Sequence, residues 1–511
     1  MERRQVIAGL LGAAGTAGLS SLAWPRRLLA QSGPRRRPPV ILLAFDTTRA
    51  DHLGCYGYGR DTSPNLDRLA RESVVFSRCW SQSNETLTSF SSLLSSRLPS
   101  ELAPLSYESF CLPADTETLQ RVLGYYGYQT GGFVAGGHLV RAFGFDRGFD
   151  SYRDEWTFGS FANTMPAALS WLDERDPQRP FFLFVQGYDA HAPYTKPLWF
   201  EDLFDPDYEG VMDSILTDES PMRVEKIWQG RYFPAIQEFQ VKRELPARRM
   251  SVLHTDLFSL LARQDPATGQ ALSPADLAHL VAHYDAGIAY ADVQLGLFLE
   301  QLQQRGLLDE SLIVVFGDHG EDLMEHGHPN HRISLHDAST RVPFIVRFPG
   351  GQHGGTRVDD DIALMDLLPT VLDLLEIQAP AGVRGHSLLR RLREGADPTL
   401  PACSVSEGIL PMGSARTRDH RLVLAPLQAG TAGYLDLLSG GAVDDPRLSL
   451  YAVGPGREER LDPTGAEGRA VASDLLAAMR EHYRGFTPPG AGEVPYVDPV
   501  LEQVMRAKGY W

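Results

Sequence analysis

Residues 40–46 read VILLAFD, an apolar run with no polar alternation, closed by an acid. Such a run predicts a strand buried on both faces, the pattern of a parallel sheet covered by helices rather than of a sheet with one wet face. Similar runs recur at GGFVAG (131–136), PFFLFVQGYDAH (180–191), SLIVVFGDHG (311–320) and VPFIVRFPG (342–350). Between them lie helical patterns. The clearest is YDAGIAYADVQLGLFLEQLQQRG (284–306), where Tyr284, Ile288, Leu295, Phe298 and Leu302 fall near helical spacing and Gly306 supplies a stop. Alternating strands and helices predict an α/β fold with a mostly parallel sheet flanked by helices. Ligands of such sheets bind beyond the carboxyl ends of the strands. Asp46, Asp189 with His191, and Asp318 with His319 all stand at such ends.

Outside this pattern the chain divides by composition. Arg3 and Arg4 precede a weakly apolar Gly/Ala-rich run from Val6 to Ala23, which predicts a twin-arginine export signal over residues 1–30 and a periplasmic or secreted protein. A Pro/Arg-rich linker follows over 31–38, then a main domain over 39–400. Within it, residues 195–280 have mixed charge and no steady period, and are expected to be a variable insertion that roofs the site or a solvated spacer. Short segments such as HRLVLAP (420–426), AGYLDLL (432–438) and RLSLYAV (447–453) predict a small antiparallel C-terminal subdomain over 401–486. It closes with the helical stretch RAVASDLLAAMREHYRGF (469–486), ahead of a tail over 487–511. No other stretch approaches the ~18 apolar residues of a spanning helix. The net charge of −17 argues against nucleic-acid partners and anionic membranes, so an anionic substrate must be drawn by local groups. Cys55, Cys79, Cys111 and Cys403 form no zinc or CxxC motif and read as small buried hydrophobes, although an oxidising compartment would permit pairing.

Asp46, Asp318 and His319 together offer two carboxylates and an imidazole, a donor set suited to a divalent ion of the Zn, Mn, Mg or Ca range. The stretch that begins beside the first of them, AFDTTRADHLGCYGYGRDTSPNLDRLARESVVFSRCW (44–80), resembles the N-terminal signature of the sulfatase family within the alkaline phosphatase superfamily. The resemblance continues through YDAHAPY (188–194), residues 284–328, HRISLHDASTRVPFIVRFPG (331–350) and IALMDLLPTVLDLLEI (362–377), in the family's order. It implies an alkaline-phosphatase-like fold, with Asp46, Asp318 and His319 as metal ligands and Thr86 at the nucleophile position, also on the metal.

Several departures from the family pattern shape the expectation. Sulfatases hold at the nucleophile position a Cys or Ser that becomes formylglycine, within a C/S-x-P/A-x-R sequence. Here Thr86 is followed by Thr88 and Phe90 where Pro and Arg are expected, so formylglycine is not expected. Thr47 replaces the second acid of the family's pair and His319 replaces an Asn, which together imply one divalent metal ion rather than two. The match places His331 where relatives keep a group that contacts the oxyanion or protonates the leaving group, with His326, His328 and His336 crowding the same loop; the competing reading is a local metal-binding or solvated histidine cluster. It gives His191 a substrate-binding role. Arg49 is expected to steady an anionic oxygen, or else to pair with Asp51 or Glu72. Thr86 has its own simpler reading as a helix cap, and the glycosylation-like NET at Asn84 reads as incidental.

The resulting expectation is an exported one-metal hydrolase of a small-molecule or glycan sulfate or phosphate ester, delivered by the twin-arginine machinery. The alternatives are a catalytically degenerate protein that binds an anionic ligand, and a phosphoryl-group transferase acting on envelope glycan or lipid.

Overall fold

The opening run forms β1 (Val40–Phe45), with all its residues buried. Successive side chains of a strand face opposite ways, and β1 supplies both layers of the core. Val40, Leu42 and Ala44 join one hydrophobic cluster; Ile41, Leu43 and Phe45 join another on the opposite face. The computed structural model describes residues 37–102, 111–156, 159–192, 194, 200, 203–210, 271–395, 404–408, 412–424, 442–454 and 457–482. The expected signal over 1–30, most of the linker and of the 195–280 insertion, AGYLDLL, Cys403 and the 487–511 tail lie outside the described residues. The chain divides into a unit over Met1–Arg37 and a unit over Pro38–Trp511. Among the described residues, every strand and helix belongs to the second unit.

Its main sheet adds β2 (Val74–Trp80), β3 (Gln129–Phe133), β4 (Ser151–Arg153), β5 (Phe181–Gly187) and β6 (Leu312–Gly317), then, beyond a hairpin of β7 (Asp322–Leu323) and β8 (Pro329–Asn330), β9 (Arg341–Arg347) and β10 (Thr356–Ala363). The eight strands are ordered β10-β2-β9-β6-β1-β5-β3-β4. All run parallel except β9, which lies antiparallel between β2 and β6. Its apolar sequence predicts a buried strand but not a direction. The direction follows from the connection: residues 318–340 stay at the rim where β6 ends, so the chain re-enters the sheet from that end.

Among the described residues, the α-helices of seven or more residues are α1 (Pro64–Arg71), α2 (Thr86–Ser95), α3 (Leu119–Tyr125), α4 (Phe161–Glu174), α5 (Pro274–Gln304), α6 (Leu367–Leu374) and α7 (Ala466–His482). α2, α3 and α6 cover one face of the sheet; α1, α4 and α5 cover the other. α5 starts inside the stretch assigned to the insertion. Ser273 and Asp276 form a capping box there, with Pro274 in the first turn, a start signal that the apolar period from Tyr284 onward does not contain. Its end is as expected, with Gly306 at φ +67° where a side chain would be strained. Tyr284, Ile288, Leu295, Phe298 and Leu302 are all buried. Each such side chain contributes roughly 1.5–3 kcal/mol by leaving water.

The C-terminal sheet is antiparallel, ordered β11 (Ser404–Glu407), β12 (Gly413–Arg416), β13 (His420–Leu424), β14 (Leu448–Gly454) and β15 (Arg457–Leu461). Ala472, Leu475, Leu476 and Met479 of α7 pack on Ala415, Leu422 and Leu450. Its first strand is fastened to the segment before α2: Glu407 N–H donates to Gln82 O at 2.8 Å and Ser406 Oγ to Ser81 O at 2.6 Å. Arg416 lies 4.0 Å above the Trp80 ring. Cys55, Cys79 and Cys111 are free thiols; Cys79 is buried and Cys55 half-buried, but Cys111 is exposed, against expectation. Among the described residues no helix is long and apolar enough to cross a membrane.

Candidate active and metal site

β1 pairs with β5 and β6 in register, so that Phe45, Gly187 and Gly317 lie at one level. The residues that come after them therefore emerge together at one rim. Asp46 and Asp318 are fully buried there. Asp46 Oδ2 accepts from Gln186 Nε2 at 3.0 Å, while its Oδ1 has no hydrogen-bond partner among the described residues. Asp318 Oδ1 accepts from the Thr47 N–H at 3.2 Å. Thr47 has φ +52°, an uncommon state for a β-branched residue that costs about 1–3 kcal/mol. Tyr284 holds it there, donating to Thr47 O at 2.7 Å.

The other side of the rim is equally constrained. A Cβ on Gly320 would fall 1.9 Å from Ala338 O, a backbone atom. Gly320→Ala is therefore expected to lower stability by roughly 1–3 kcal/mol, read as a lower urea midpoint with unchanged slope. An unchanged midpoint would show that this loop relaxes freely.

All of α2 is buried, which a Ser-rich helix tolerates only if its hydroxyls find partners. Ser91 and Ser95 donate to Leu87 O and Ser91 O one turn back, and Ser89 donates to Asp318 O at 2.7 Å, tying the helix to the end of β6. The N-cap is Glu85, not Thr86: Glu85 has extended backbone and its carboxylate accepts from Thr88 N–H at 3.4 Å. Thr86 is the first helical residue, and its Oγ1 lies 3.2 Å from His319 Nε2. Donor atoms of Asp46, Asp318 and His319 lie within 4.8 Å of one another.

The two rim acids are both disfavoured as carboxylates. Burial, then the neighbouring Asp318, raises the Asp46 carboxyl well above the carboxylate range, and burial raises Asp318 as well. Two neighbouring buried acids, each with an oxygen that lacks a hydrogen-bond partner among the described residues, beside an imidazole and a hydroxyl fit the expected divalent ion.

His331 and His191 reach the same rim. The His331 ring stands 4.4 Å from that of His319 and 5.1 Å from that of His191. His331 Nδ1 lies 3.1 Å from Glu321 Oε1. Burial lowers His331, with His319 and Arg332 adding to it, while burial raises Glu321; both shifts favour the uncharged pair. Of the other imidazoles on this loop, His326 and His336 turn to Glu458 and His328 to Asp322.

Three side chains near the rim are engaged by protein instead. Arg49 is buried rather than at the surface, and its guanidinium is taken by protein: Nε and Nη2 by Asp51 at 3.0 and 2.9 Å, Nη1 by Glu325 and by Glu321 O. The ion pair with Asp51 is present, and in place of a substrate contact Arg49 braces the backbone of Glu321. Asp189 turns to α4, accepting from Phe161 N–H at 2.9 Å. Asn84 is fully buried, donating to Ser334 O at 2.7 Å, and is no surface acceptor.

Four further residues that sequence reasoning passes over belong to the site: Gln186, Glu321, Glu85 and His138, the last 3.0 Å from Glu85 Oε1. Gln186 had a signal, as the polar residue inside the apolar run FFLFVQG. Glu85 and His138 had none, being far apart in sequence and joined only by the fold.

Comparison with known proteins bears on the family and the fold. A family model described as Sulfatase matches residues 38–377. The N-acetylglucosamine-6-O-sulfatase of Bacteroides thetaiotaomicron is 24% identical over 415 residues, which span 72% of this chain and 73% of that one. Arylsulfatase K of Bos taurus is 35% identical over 224 residues, 43% of this chain and 37% of the relative. Among solved structures, one in complex with its substrate D-glucosamine-2-N,6-O-disulfate superposes with TM-score 0.66 at 18% identity, covering 89% of this chain and 99% of that one. A phosphonate monoester hydrolase from Silicibacter pomeroyi superposes with TM-score 0.62 at 19% identity, covering 88% and 96%.

Proposed function

Because the chain belongs to the sulfatase family, we propose that it is a metal-dependent ester hydrolase that attacks a tetrahedral phosphorus or sulfur centre with Thr86. The observation that carries the proposal is the position of Thr86 Oγ1, 3.2 Å from His319 Nε2 and beside the acids Asp46 and Asp318. One divalent ion (Zn, Mn, Mg or Ca) held by Asp46, Asp318, His319 and Thr86 would polarise the ester and make the hydroxyl a better nucleophile. Gln186 and the Thr47 N–H orient the two acids from behind.

Thr86 gives its hydroxyl proton to water, and its Oγ1 forms the new bond to the central atom as the bond to the leaving oxygen breaks. His331 is the proton source for that oxygen, and Glu321 stands behind it. The pair shares one proton, and an anionic ester in front of His331 favours the partition in which the imidazole holds it. His191 contacts the ester from beside His331. His331→Ala and Glu321→Gln should each lower kcat about 10²-fold on alkyl esters, with little effect on aryl esters whose leaving group needs no proton. Equal losses on both classes would assign the pair to binding.

The covalent product at Thr86 must be released by water, since a threonine ester lacks the second hydroxyl through which a formylglycine hydrate expels sulfate. This favours a phosphate or phosphonate ester. A sulfated amino sugar is favoured instead by the likeness to the N-acetylglucosamine-6-O-sulfatase and to the structure holding a glucosamine disulfate. Turnover of matched aryl sulfate, phosphate monoester, phosphodiester, phosphonate and glucosamine 6-sulfate by the metal-restored protein tests both. A second reading, a degenerate binder of anions, draws on Glu85, whose carboxylate occupies a helix-end N–H that an ester oxygen would otherwise use. Measured turnover on any of these esters excludes it. The export signal over 1–30 and a periplasmic or secreted location belong to the same proposal.

A further inference from the structure

The hairpin of β7 and β8 carries His326 away from the rim toward the C-terminal sheet. There His326 and His336 lie ring on ring, with centroids 3.8 Å apart and planes 8° from parallel. Glu458, on β15, meets both with the same oxygen: Oε2 contacts His336 Nδ1 and lies 3.5 Å from His326 Nε2. One donor atom from each of His326, His336 and Glu458 lies within 4.8 Å of the other two.

Each donor is also held from behind. His326 Nδ1 meets Asp322 Oδ2, which fixes the ring nitrogen that faces Glu458. Glu458 Oε1 accepts from Arg421 Nη1 at 3.0 Å and from Asp337 N–H at 3.3 Å, leaving Oε2 turned to the two imidazoles. The His336 ring packs edge-on to Tyr451 at 5.1 Å. A carboxylate behind a ligating imidazole, and a hydrogen bond behind a ligating carboxylate, are the supports that orient metal ligands.

We propose that His326 Nε2, His336 Nδ1 and Glu458 Oε2 form a second metal site, distinct from the rim, for a divalent transition metal. Two imidazoles and one carboxylate select Zn, Co, Ni or Cu over Ca or Mg, which prefer all-oxygen shells. The ion cross-links the hairpin to the C-terminal sheet. Because Asp322 follows Glu321 directly and His331 follows β8, the cross-link steadies the segment that carries the proton-donating pair.

The test uses the full chain stripped of metal and titrated with Zn²⁺, or with Ca²⁺ as the contrasting ion, with bound metal counted by elemental analysis. Wild type should take up one further equivalent of Zn²⁺ relative to the His326→Ala/His336→Ala variant, and Asp318→Asn should keep that equivalent. The comparison stands whether or not the rim itself holds an ion. Asp322→Asn should weaken Zn²⁺ binding at this site roughly ten- to hundredfold. Co²⁺ should give a visible absorption band in Asp318→Asn that Glu458→Gln combined with Asp318→Asn lacks. Ca²⁺ should not occupy the site. If the double alanine variant does not fold, Glu458→Gln, which keeps an acceptor for Arg421, carries the same count. Equal Zn²⁺ content in wild type, the double variant and Glu458→Gln would overturn the proposal and leave an ion-pair cluster.

Discussion

Thr86→Ala should reduce kcat/KM by roughly 10³-fold or more, at least ~4 kcal/mol of transition-state stabilisation, while the chain stays folded and still takes up metal. The side chain is small and fully buried, so its truncation costs only about 1 kcal/mol of packing. Asp46, Asp318 and His319 remain to hold the ion. Thr86→Ser keeps the hydroxyl and should retain most of the rate, losing only what the methyl group contributes to fixing its rotamer. The decisive comparison is steady-state turnover of both variants beside their metal content and circular dichroism. Alanine activity within tenfold of wild type would exclude Thr86 as nucleophile.

Removing the metal should have a comparable effect on rate and an opposite one on the local electrostatics. Chelation is expected to abolish turnover, with recovery when a divalent ion is restored. The stripped protein then carries two acids that burial raises, Asp46 further raised by Asp318, with no cation between them. Asp46→Asn removes one of those charges and keeps an oxygen for Gln186. It should therefore raise the melting temperature of the metal-free chain and abolish metal-dependent activity. With metal at about 100 times its dissociation constant the order should reverse, because binding adds roughly 2.7 kcal/mol to wild type alone. Melting curves of both proteins with and without metal test this. A metal-free wild type more stable than Asp46→Asn would mean that the rim acids are not in conflict.

The residues that sequence made legible are those whose meaning is local. β1 announces itself because burial on both faces leaves no polar position in VILLAF, and Asp46 and Asp318 because each ends such a run. β9 carries the same apolar signature, yet its reversal depends on where residues 318–340 travel, which periodicity does not encode. Arg49 shows the same limit: Asp51 was a visible neighbour, but Glu325 and Glu321 O approach it only through the folded rim loop. Thr86 carried two readings because a hydroxyl at a helix start serves either as cap or as reactive group. Glu85 takes the cap, which removes one of the two readings and leaves the other as the proposal.

The flush ends of β1, β5 and β6 have a consequence for descent. Backbone pairing, rather than any loop, sets the spacing of Asp46 and Asp318, so the rim can be inherited as a unit while the surrounding segments diverge. Changes in the segments around the rim therefore need not move Asp46 from Asp318.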